Sequence, residues 1–287
     1  MIALSAAGLA QEPAARAVEY LSREVQAWPR ENHCFSCHNN GDGARALYAA
    51  RAPAVALAET TQWLMRPLEW DNNRGDPGFS DKKLARIQFA AALAEAVQSG
   101  LVADRKILVQ AAESLLPYQE ADGSWQVDAG AEVGSPATYG ARLATWLVHR
   151  TLQRAGVGQE ARMRARRWLL AAPVKSTLDA AVATLAGSPR VDLLLRAQTK
   201  DGGWGPYPNS PAEVFDTAVV LLALHSQAGP ASAVERGRKF LAATQLPTGG
   251  WPETTRPPGG RSYAQHVSTT AWATLALLET EAKPNPK

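Results

Sequence analysis

The sequence predicts an all-α protein built from six helical hairpins in tandem. Three observations support this fold class. Patterns typical of β-strands are nearly absent, alanine- and leucine-rich helices recur at steps of 38 to 53 residues, and a glutamine–tryptophan motif occurs three times. With 287 residues, of which 46% are hydrophobic, the chain can enclose a substantial core. We therefore expect one domain organised by an internal repeat.

Six alanine-rich helices mark the hairpins in chain order. They begin at Ala44, Ala90, Ala141, Ala180, Ala218 and Ala271. The segments between them, such as 106–118, carry apolar residues at helical spacing on one face. Each step accommodates one helix pair and two loops, so six pairs fill essentially the whole chain. Six tandem hairpins can form an open superhelix or close into a ring.

Three turns between helices share one pattern. The segments are 119–125, 198–204 and 245–251, and in each a glutamine is followed by a glycine four residues later and a tryptophan six residues later. Each segment follows a helical pattern and precedes one of the alanine-rich helices. The motif therefore marks the connection between the two helices of a hairpin.

This motif resembles the QW motif of the terpenoid cyclase and protein prenyltransferase superfamily. The segment Cys34-Phe35-Ser36-Cys37-His38 is a C-x-x-C-H motif. Its position before an Ala/Leu-rich helix and QW repeats is also similar to the arrangement in bacterial prenyltransferase/squalene-cyclase repeat proteins. The resemblance implies an α6/α6 toroid, in which six outer helices surround six inner ones. It also implies that Trp125, Trp204 and Trp251 serve stability. We expect a single toroid over residues 11–282, followed by a short tail at 283–287.

The resemblance also suggests where a class II cyclase would carry its acid. Such cyclases protonate an alkene with an Asp-x-Asp-Asp motif at the start of an inner helix, and the matching segment here reads Glu213-Val214-Phe215-Asp216. Phe215 occupies the position of the proton donor, and a phenyl ring cannot donate a proton. Prenyltransferases hold zinc with Asp, Cys and His of inner helices, whereas both cysteines here lie near the N-terminus. Neither reaction is predicted.

Residues at the starts of the inner helices remain candidates for lining a central cavity. They are Tyr139, Asp179, Glu213, Asp216, Tyr263 and His266. Structural roles compete with this interpretation, since Asp216 and Glu213 stand where acidic side chains favour a helix N-terminus. No residue among them is assigned a catalytic role.

The two cysteines of the chain lie in one short motif, Cys34-Phe35-Ser36-Cys37-His38. C-x-x-C-H is the attachment signature of c-type haem, which predicts thioether bonds at Cys34 and Cys37 and His38 as proximal iron ligand. We therefore expect one covalent haem c. Candidates for the distal ligand are Met65, His149, His225 and His266. A disulfide, a redox dithiol and a different metal site with His33 are the alternatives.

Charge and hydropathy exclude other classes. A net charge of +3 gives no indication of nucleic-acid binding, and no run approaches the roughly 20 apolar residues of a membrane-spanning helix. One basic cluster, comprising Arg162, Arg164, Arg166 and Arg167, is interpreted as a solvated helix face rather than an anionic partner site.

The first ten residues resemble the remnant of a signal peptide, with Gly8 and Ala10 at the small-residue positions before a cleavage site. Together with C-x-x-C-H this predicts an exported, periplasmic protein. The favoured function is a c-type haem protein for electron transfer or haem-linked ligand chemistry, acting with a redox partner. The alternative is a squalene-cyclase-like toroid that binds an isoprenoid or other apolar ligand, with Cys34–Cys37 as a disulfide only.

Overall fold

The computed structural model describes residues 12–73, 82–127, 139–254 and 262–281. Of these residues 69% are helical, and they form no strand beyond an isolated backbone bridge between Trp204 and Glu213. The all-α prediction is confirmed. The predicted signal remnant at 1–10 and the tail at 283–287 lie outside the described residues. No described helix has the length and apolar character needed to cross a membrane.

The described helices alternate between an outer and an inner ring. The outer helices are α1 (Pro13–Asn32), α3 (Ala54–Leu64), α5 (Arg105–Glu113), α7 (Gln159–Ala171), α9 (Val191–Ala197) and α11 (Ala231–Thr244). The inner helices are α2 (Ala44–Ala49), α4 (Lys82–Ser99), α6 (Gly140–Ala155), α8 (Thr177–Leu185), α10 (Val214–Ser226) and α12 (Tyr263–Glu279). A π-helix, Cys37–Gly43, leads into α2, and short 3-10 helices span Pro67–Asn72 and Leu116–Tyr118.

The inner helices form a closed ring. Each of α2, α4, α6, α8 and α10 packs against the next inner helix, and α12 packs back onto α2, the π-helix and α1. The six hairpins therefore close into an α6/α6 toroid, which confirms the predicted fold and excludes the open superhelix.

Composition explains which helices lie inside. Inner helix α10 buries every residue from Val214 to Leu221, because it is apolar or small around its whole circumference. Outer helix α7 buries only Ala161, Ala165 and Leu169, spaced four residues apart on one stripe. A helix apolar on all sides needs neighbours on all sides, whereas a single stripe needs one packed layer.

In each copy of the motif, the tryptophan joins the two helices of a hairpin. The Trp204 side chain is fully buried. Its indole N–H donates to the carbonyl oxygen of Leu194 at 2.6 Å, and its backbone N–H donates to Thr217 Oγ1 at 2.8 Å. The equivalent partners are Leu115 and Thr145 for Trp125, and Leu241 and Thr270 for Trp251. The tryptophans are thus structural.

The glutamine of each motif joins one hairpin to the next. Its amide nitrogen donates to the glycine carbonyl of its own turn and to a carbonyl at the start of the following outer helix, which is Ala161 for Gln119, Ala233 for Gln198 and Pro13 for Gln245. The bond from Gln245 to Pro13 is 2.8 Å long and spans 232 positions in sequence. This pair of glutamine hydrogen bonds, which we call the hairpin joint, therefore links neighbouring hairpins and also closes the ring.

Candidate functional site

A buried carboxylate lies at the centre of the toroid. Asp42, near the end of the π-helix, is fully buried, and its Oδ2 atom accepts three hydrogen bonds. The donors are Gln88 Nε2 at 2.7 Å, the Tyr139 hydroxyl at 2.5 Å and Ser268 Oγ at 2.7 Å. Arg45, one turn further along, places Nη2 3.7 Å from Asp42 Oδ1. Side chains from α2, α4, α12 and the start of α6 therefore converge on one charge.

Electrostatics keep the proton on Tyr139. Burial, and next the negative charge of Asp42, raise the pKa of Tyr139 well above its ordinary value. Tyr139 is therefore a neutral phenol that donates its proton to the carboxylate. A buried carboxylate is tolerated only when hydrogen bonds and a counter-ion replace its water, and here three donors and one arginine do so.

Three aromatic rings pack beside the carboxylate and fill the axis of the toroid. The ring centres of Tyr139, Phe215 and Trp272 lie 5.8 to 6.0 Å apart. Trp272 donates its indole N–H to the Tyr139 hydroxyl at 2.9 Å, and the Arg45 guanidinium lies 4.1 Å from the Trp272 ring centre. Phe215 thus faces the centre, at the position that the resemblance assigns to the proton donor.

A cavity of about 620 Å³ opens next to this aromatic layer. Its lining comes mainly from the carboxyl-terminal halves of α4, α6, α8, α10 and α12, together with Arg45 of α2 and two arginines of α7. The apolar part of the lining comprises Ala91, Ala94, Trp146, Leu147, Leu185, Ala186, Leu222, Trp272 and Leu275. Its charged or titratable part comprises Glu95, His149, Arg150, Arg154, Arg162, Arg166, His225 and Glu279. The cavity therefore combines an apolar wall with a predominantly cationic mouth.

The positive charges of the mouth perturb one another. Enclosure by the cavity wall, followed by the charge of Arg154, lowers the pKa of Arg150 to about 10. Burial, then Arg162 and Arg166, lower the pKa of His149. Within the described residues, Arg154 has a close counter-ion in Glu95 at 2.6 Å.

His38 is attached to the central cluster rather than to a cofactor pocket. Its Nδ1 lies 3.0 Å from Ser268 Oγ, which donates its own proton to Asp42. Nδ1 must therefore carry the proton in this hydrogen bond. Burial lowers the pKa of His38, and the opposing effect of Asp42 is smaller. The lowered pKa favours a neutral imidazole whose proton is on Nδ1.

The other residues predicted to line a cavity are spread over the amino-terminal side of the inner ring. Asp179 accepts a hydrogen bond from the Lys175 backbone N–H at 2.9 Å and pairs with Arg142 at 3.4 Å. Glu213 donates its backbone N–H to the Trp204 carbonyl. The structure thus joins these acids to loops and helix starts, and does not bring them to the central cluster.

Tyr263 and His266 belong to the first turn of α12, and their side chains contact α1. Tyr263 stacks on Trp28 at 5.4 Å, and its hydroxyl accepts from Asn39 at 2.8 Å and donates to Glu24. The His266 ring meets the edge of Tyr20 and lies 4.0 Å from Glu253. Asp216 is fully buried in the first turn of α10. Of the six candidates, Tyr139 is the one shown to bond to Asp42 within the described residues.

The predicted distal ligands lie in different parts of the toroid. Met65 ends α3 with 38% of its surface exposed. His149 and His225 line the cationic mouth, at the opposite ends of the inner helices from His38.

Comparison with known proteins identifies the fold. No protein-family model matches the chain. Among curated proteins, drimenyl diphosphate synthase from Streptomyces showdoensis is 28% identical over 242 residues, which cover 81% of this chain and 39% of that relative. Among solved structures, the type II terpene cyclase MstE from Scytonema, in complex with geranylgeranyl dihydroxybenzoate as substrate, aligns with a TM-score of 0.58 at 13% identity. That alignment covers 93% of this chain and 97% of the cyclase. The chain has a terpene-cyclase-like fold.

A second solved structure, of a protein from Actinoplanes, has a similar fold. It aligns with a TM-score of 0.57 at 15% identity and covers 94% of this chain and 99% of its own length. The chain spans about two fifths of the length of the curated relative it matches.

The comparisons overturn the favoured sequence-based function. The relatives are terpene cyclases, which act without haem, so the prediction of a c-type haem protein with haem c at Cys34, Cys37 and His38 is wrong. In the terpene-cyclase-like toroid, His38 lies in the first turn of the π-helix, and its side chain hydrogen-bonds to Ser268. Over the described ranges, no three His, Cys, Asp or Glu residues form a group that could hold a metal. The alternative of a cyclase-like toroid fits better.

Sequence reasoning missed the main members of the site. Asp42, Arg45 and Gln88 lie in segments that carry no known motif, and Ser268 is one of several polar residues in α12. One sequence feature could have pointed to the site. In the segment 41–45, Asp42 and Arg45 follow glycines just where an otherwise apolar inner helix begins.

Proposed function

We propose that this chain is a cyclase-like toroid module that binds an isoprenoid or another apolar ligand in its central cavity. The observation that carries the proposal is the 620 Å³ cavity, whose inner wall consists of alanine, leucine and tryptophan side chains. Ligand cavities of several hundred Å³ with apolar walls are typical small-molecule sites. Burial of a flexible hydrocarbon against such a wall gains free energy in proportion to the area removed from water.

The comparisons support an isoprenoid as the class of ligand. The curated relative is named for a diphosphate of a terpene, and the cyclase MstE was crystallised with a geranylgeranyl-bearing substrate. A prenyl chain has the shape and polarity that the apolar wall accepts. We therefore expect a linear isoprenoid rather than a sugar or a peptide.

We propose that the chain binds the hydrocarbon without class II cyclisation. Phe215 packs against Tyr139 and Trp272 where a proton donor would be needed, and its ring has no acidic proton. Asp42 accepts its hydrogen bonds as a carboxylate and pairs with Arg45, so it is not poised to protonate an alkene. The module would hold the hydrocarbon rather than start a cation cascade on it.

Equilibrium dialysis of the purified chain with radiolabelled farnesol tests this proposal. We expect saturable binding to one site per chain. Leu222, which is partly exposed in the cavity wall, provides the variant, because Leu222→Trp would occupy part of the cavity and weaken binding at least tenfold. Leu68 is 78% exposed on a 3-10 helix far from the lining, so Leu68→Trp is the matched control and should bind as the wild type does.

Two results would contradict the proposal. Equal affinity in both variants would mean that farnesol binds outside the cavity. A cyclised product from a linear polyprenol or squalene, detected by mass spectrometry and lost on Asp216→Asn, would mean that the chain is a cyclase after all and that its acid stands one position beyond Phe215.

A further inference from the structure

The mouth of the cavity concentrates positive charge. Five arginines line the cavity, namely Arg45 on its floor and Arg150, Arg154, Arg162 and Arg166 at its mouth, against two glutamates, Glu95 and Glu279. With Asp42 beneath the floor included, the surplus is still two positive charges. Arginines crowded in one concave site repel one another, and water screens them less there than on an open surface. Such an arrangement is stabilised by an anion.

Most of these guanidinium groups have hydrogen-bonding capacity to spare. Arg45 is 5% exposed, and its Nε and Nη2 atoms have no hydrogen-bond partner among the described residues. It lines the cavity floor. Over the same ranges, no carboxylate lies within 4.0 Å of Arg150, Arg162 or Arg166, whereas Arg154 is paired with Glu95. A buried arginine with unused donors is costly unless a ligand or water accepts from it.

Helix polarity argues against a purely structural role for Arg162. This residue lies in the first turn of outer helix α7, which spans Gln159–Ala171, whereas Arg166 lies near its middle. The positive end of a helix dipole is at its amino terminus, so Arg162, in the first turns, is in an unfavourable place. The same helix end favours an anion. Arg164, between them in sequence, instead bonds to Gln119 and belongs to the hairpin joint.

We propose that the mouth of the toroid, at the carboxyl ends of the inner helices, is an anion-binding site for a ligand that carries two or more phosphate charges. Guanidinium groups match phosphate oxygens with paired hydrogen bonds, and three or more of them converging from α2, α6 and α7 suit a diphosphate better than a single carboxylate. The site extends beyond the apolar wall and does not depend on isoprenoid binding. It could hold a free diphosphate or the phosphorylated head of a larger molecule.

Inorganic pyrophosphate is the probe for the site. Isothermal titration calorimetry of the full chain at low ionic strength should show one pyrophosphate bound per chain, more tightly than inorganic phosphate, with affinity that falls as salt is added. Arg150→Gln and Arg166→Gln should each weaken pyrophosphate binding at least tenfold. Arg167, exposed on the same helix but outside the lining, provides the matched control, and Arg167→Gln should bind as the wild type does.

The outcomes separate this site from the isoprenoid proposal. Equal loss in Arg166→Gln and Arg167→Gln, or no pyrophosphate binding by a folded wild-type chain, would overturn the anion site. Pyrophosphate binding with no farnesol binding would support it and refute the isoprenoid proposal alone. Farnesyl diphosphate identifies the source of the phosphate. If farnesyl diphosphate binds more tightly than pyrophosphate, and Leu222→Trp removes that difference in affinity, the phosphate head and the hydrocarbon share the cavity. If the chain binds farnesyl diphosphate and pyrophosphate with equal affinity, the ligand of the site is a free diphosphate.

Arg150 and Arg166 are both exposed to solvent in the mouth, so their substitution should leave the fold intact. An unchanged melting temperature for Arg166→Gln confirms this. If that variant were destabilised while Arg167→Gln was not, Arg166→Lys provides the second test. It keeps the charge but loses the paired hydrogen bonds, and should bind pyrophosphate with an affinity between those of the wild type and Arg150→Gln.

Discussion

Replacing Asp42 by asparagine should destabilise the toroid more than any exposed acid could. The substitution keeps the shape of the side chain and removes its charge, so Arg45 loses its buried counter-ion. The amide oxygen can accept at most two of the three hydrogen bonds that Gln88, Tyr139 and Ser268 now donate to one carboxylate atom. Removing one partner of a buried ion pair typically costs about 3–5 kcal/mol, and we expect the free energy of unfolding to fall by an amount in that range.

Urea unfolding followed by circular dichroism measures this loss. Asp192, exposed in the first turn of α9, provides the control, because Asp192→Asn removes only a favourable contact with a helix dipole and should cost less than about 1 kcal/mol. The double variant Asp42→Asn/Arg45→Met should lose less stability than the sum of the losses in the two single variants. The reason is that the double variant has no buried arginine without a counter-ion. If the free energy of unfolding of Asp42→Asn were within about 1 kcal/mol of that of the wild type, the cluster would not be a major source of the toroid's stability.

Two further predictions concern the packing and the titration of the described residues. Trp204→Ala should cost about 3–5 kcal/mol, because it empties a fully buried site and leaves the Leu194 carbonyl without its donor; Tyr207→Ala, at a 56% exposed aromatic in the same turn, should change stability little. Because the pKa of His38 is lowered in the folded chain, the unfolded chain binds a proton first, so stability should fall as the pH drops below about 6.5. A His38→Asn variant should show a shallower pH dependence in the same unfolding assay, and an unchanged slope would contradict the assignment of a neutral His38.

The sequence was informative wherever structure is decided locally. The QW turns could be recognised because Gln119, Gly123 and Trp125 stand within seven residues of sequence. Gln119 bonds to the Gly123 carbonyl of its own turn, and the glycine adopts a φ of 97° that side chains disfavour. The central cluster could not be recognised in this way. Asp42 meets Tyr139 and Ser268 across 97 and 226 positions of sequence, and only closure of the ring brings them together.

The basic cluster on α7 shows a similar limit. Its arginines appear in sequence as one solvated face, but helical geometry sends neighbouring residues in different directions. Arg164 turns to the hairpin joint, whereas Arg162 and Arg166, four residues apart, share the side that meets the cavity. The spacing could have indicated this separation, but the destination of each side depends on α6 and on the closure of the ring.

The C-x-x-C-H segment has a structural role that accounts for its composition without a cofactor. The Phe35 ring stacks on Trp63 at 4.7 Å, and Cys37 packs as a small hydrophobic side chain against the core. Ser36 Oγ caps the π-helix by accepting from the backbone N–H groups of His38 and Asn39.

The π-helix that follows explains why two glycines and two asparagines stand in this segment. A Cβ at Gly41 would lie 2.9 Å from Cβ of Gln88, so only glycine allows the π-helix to approach α4 this closely. Asn40 bonds to the Val25 carbonyl and to Thr60, which fixes the turn against α1 and α3. A π-helix inserts extra residues into a helical path and is frequent at functional sites. Here it directs Asp42 to the axis of the toroid, so the segment that resembles a haem site is the one that builds the central charge.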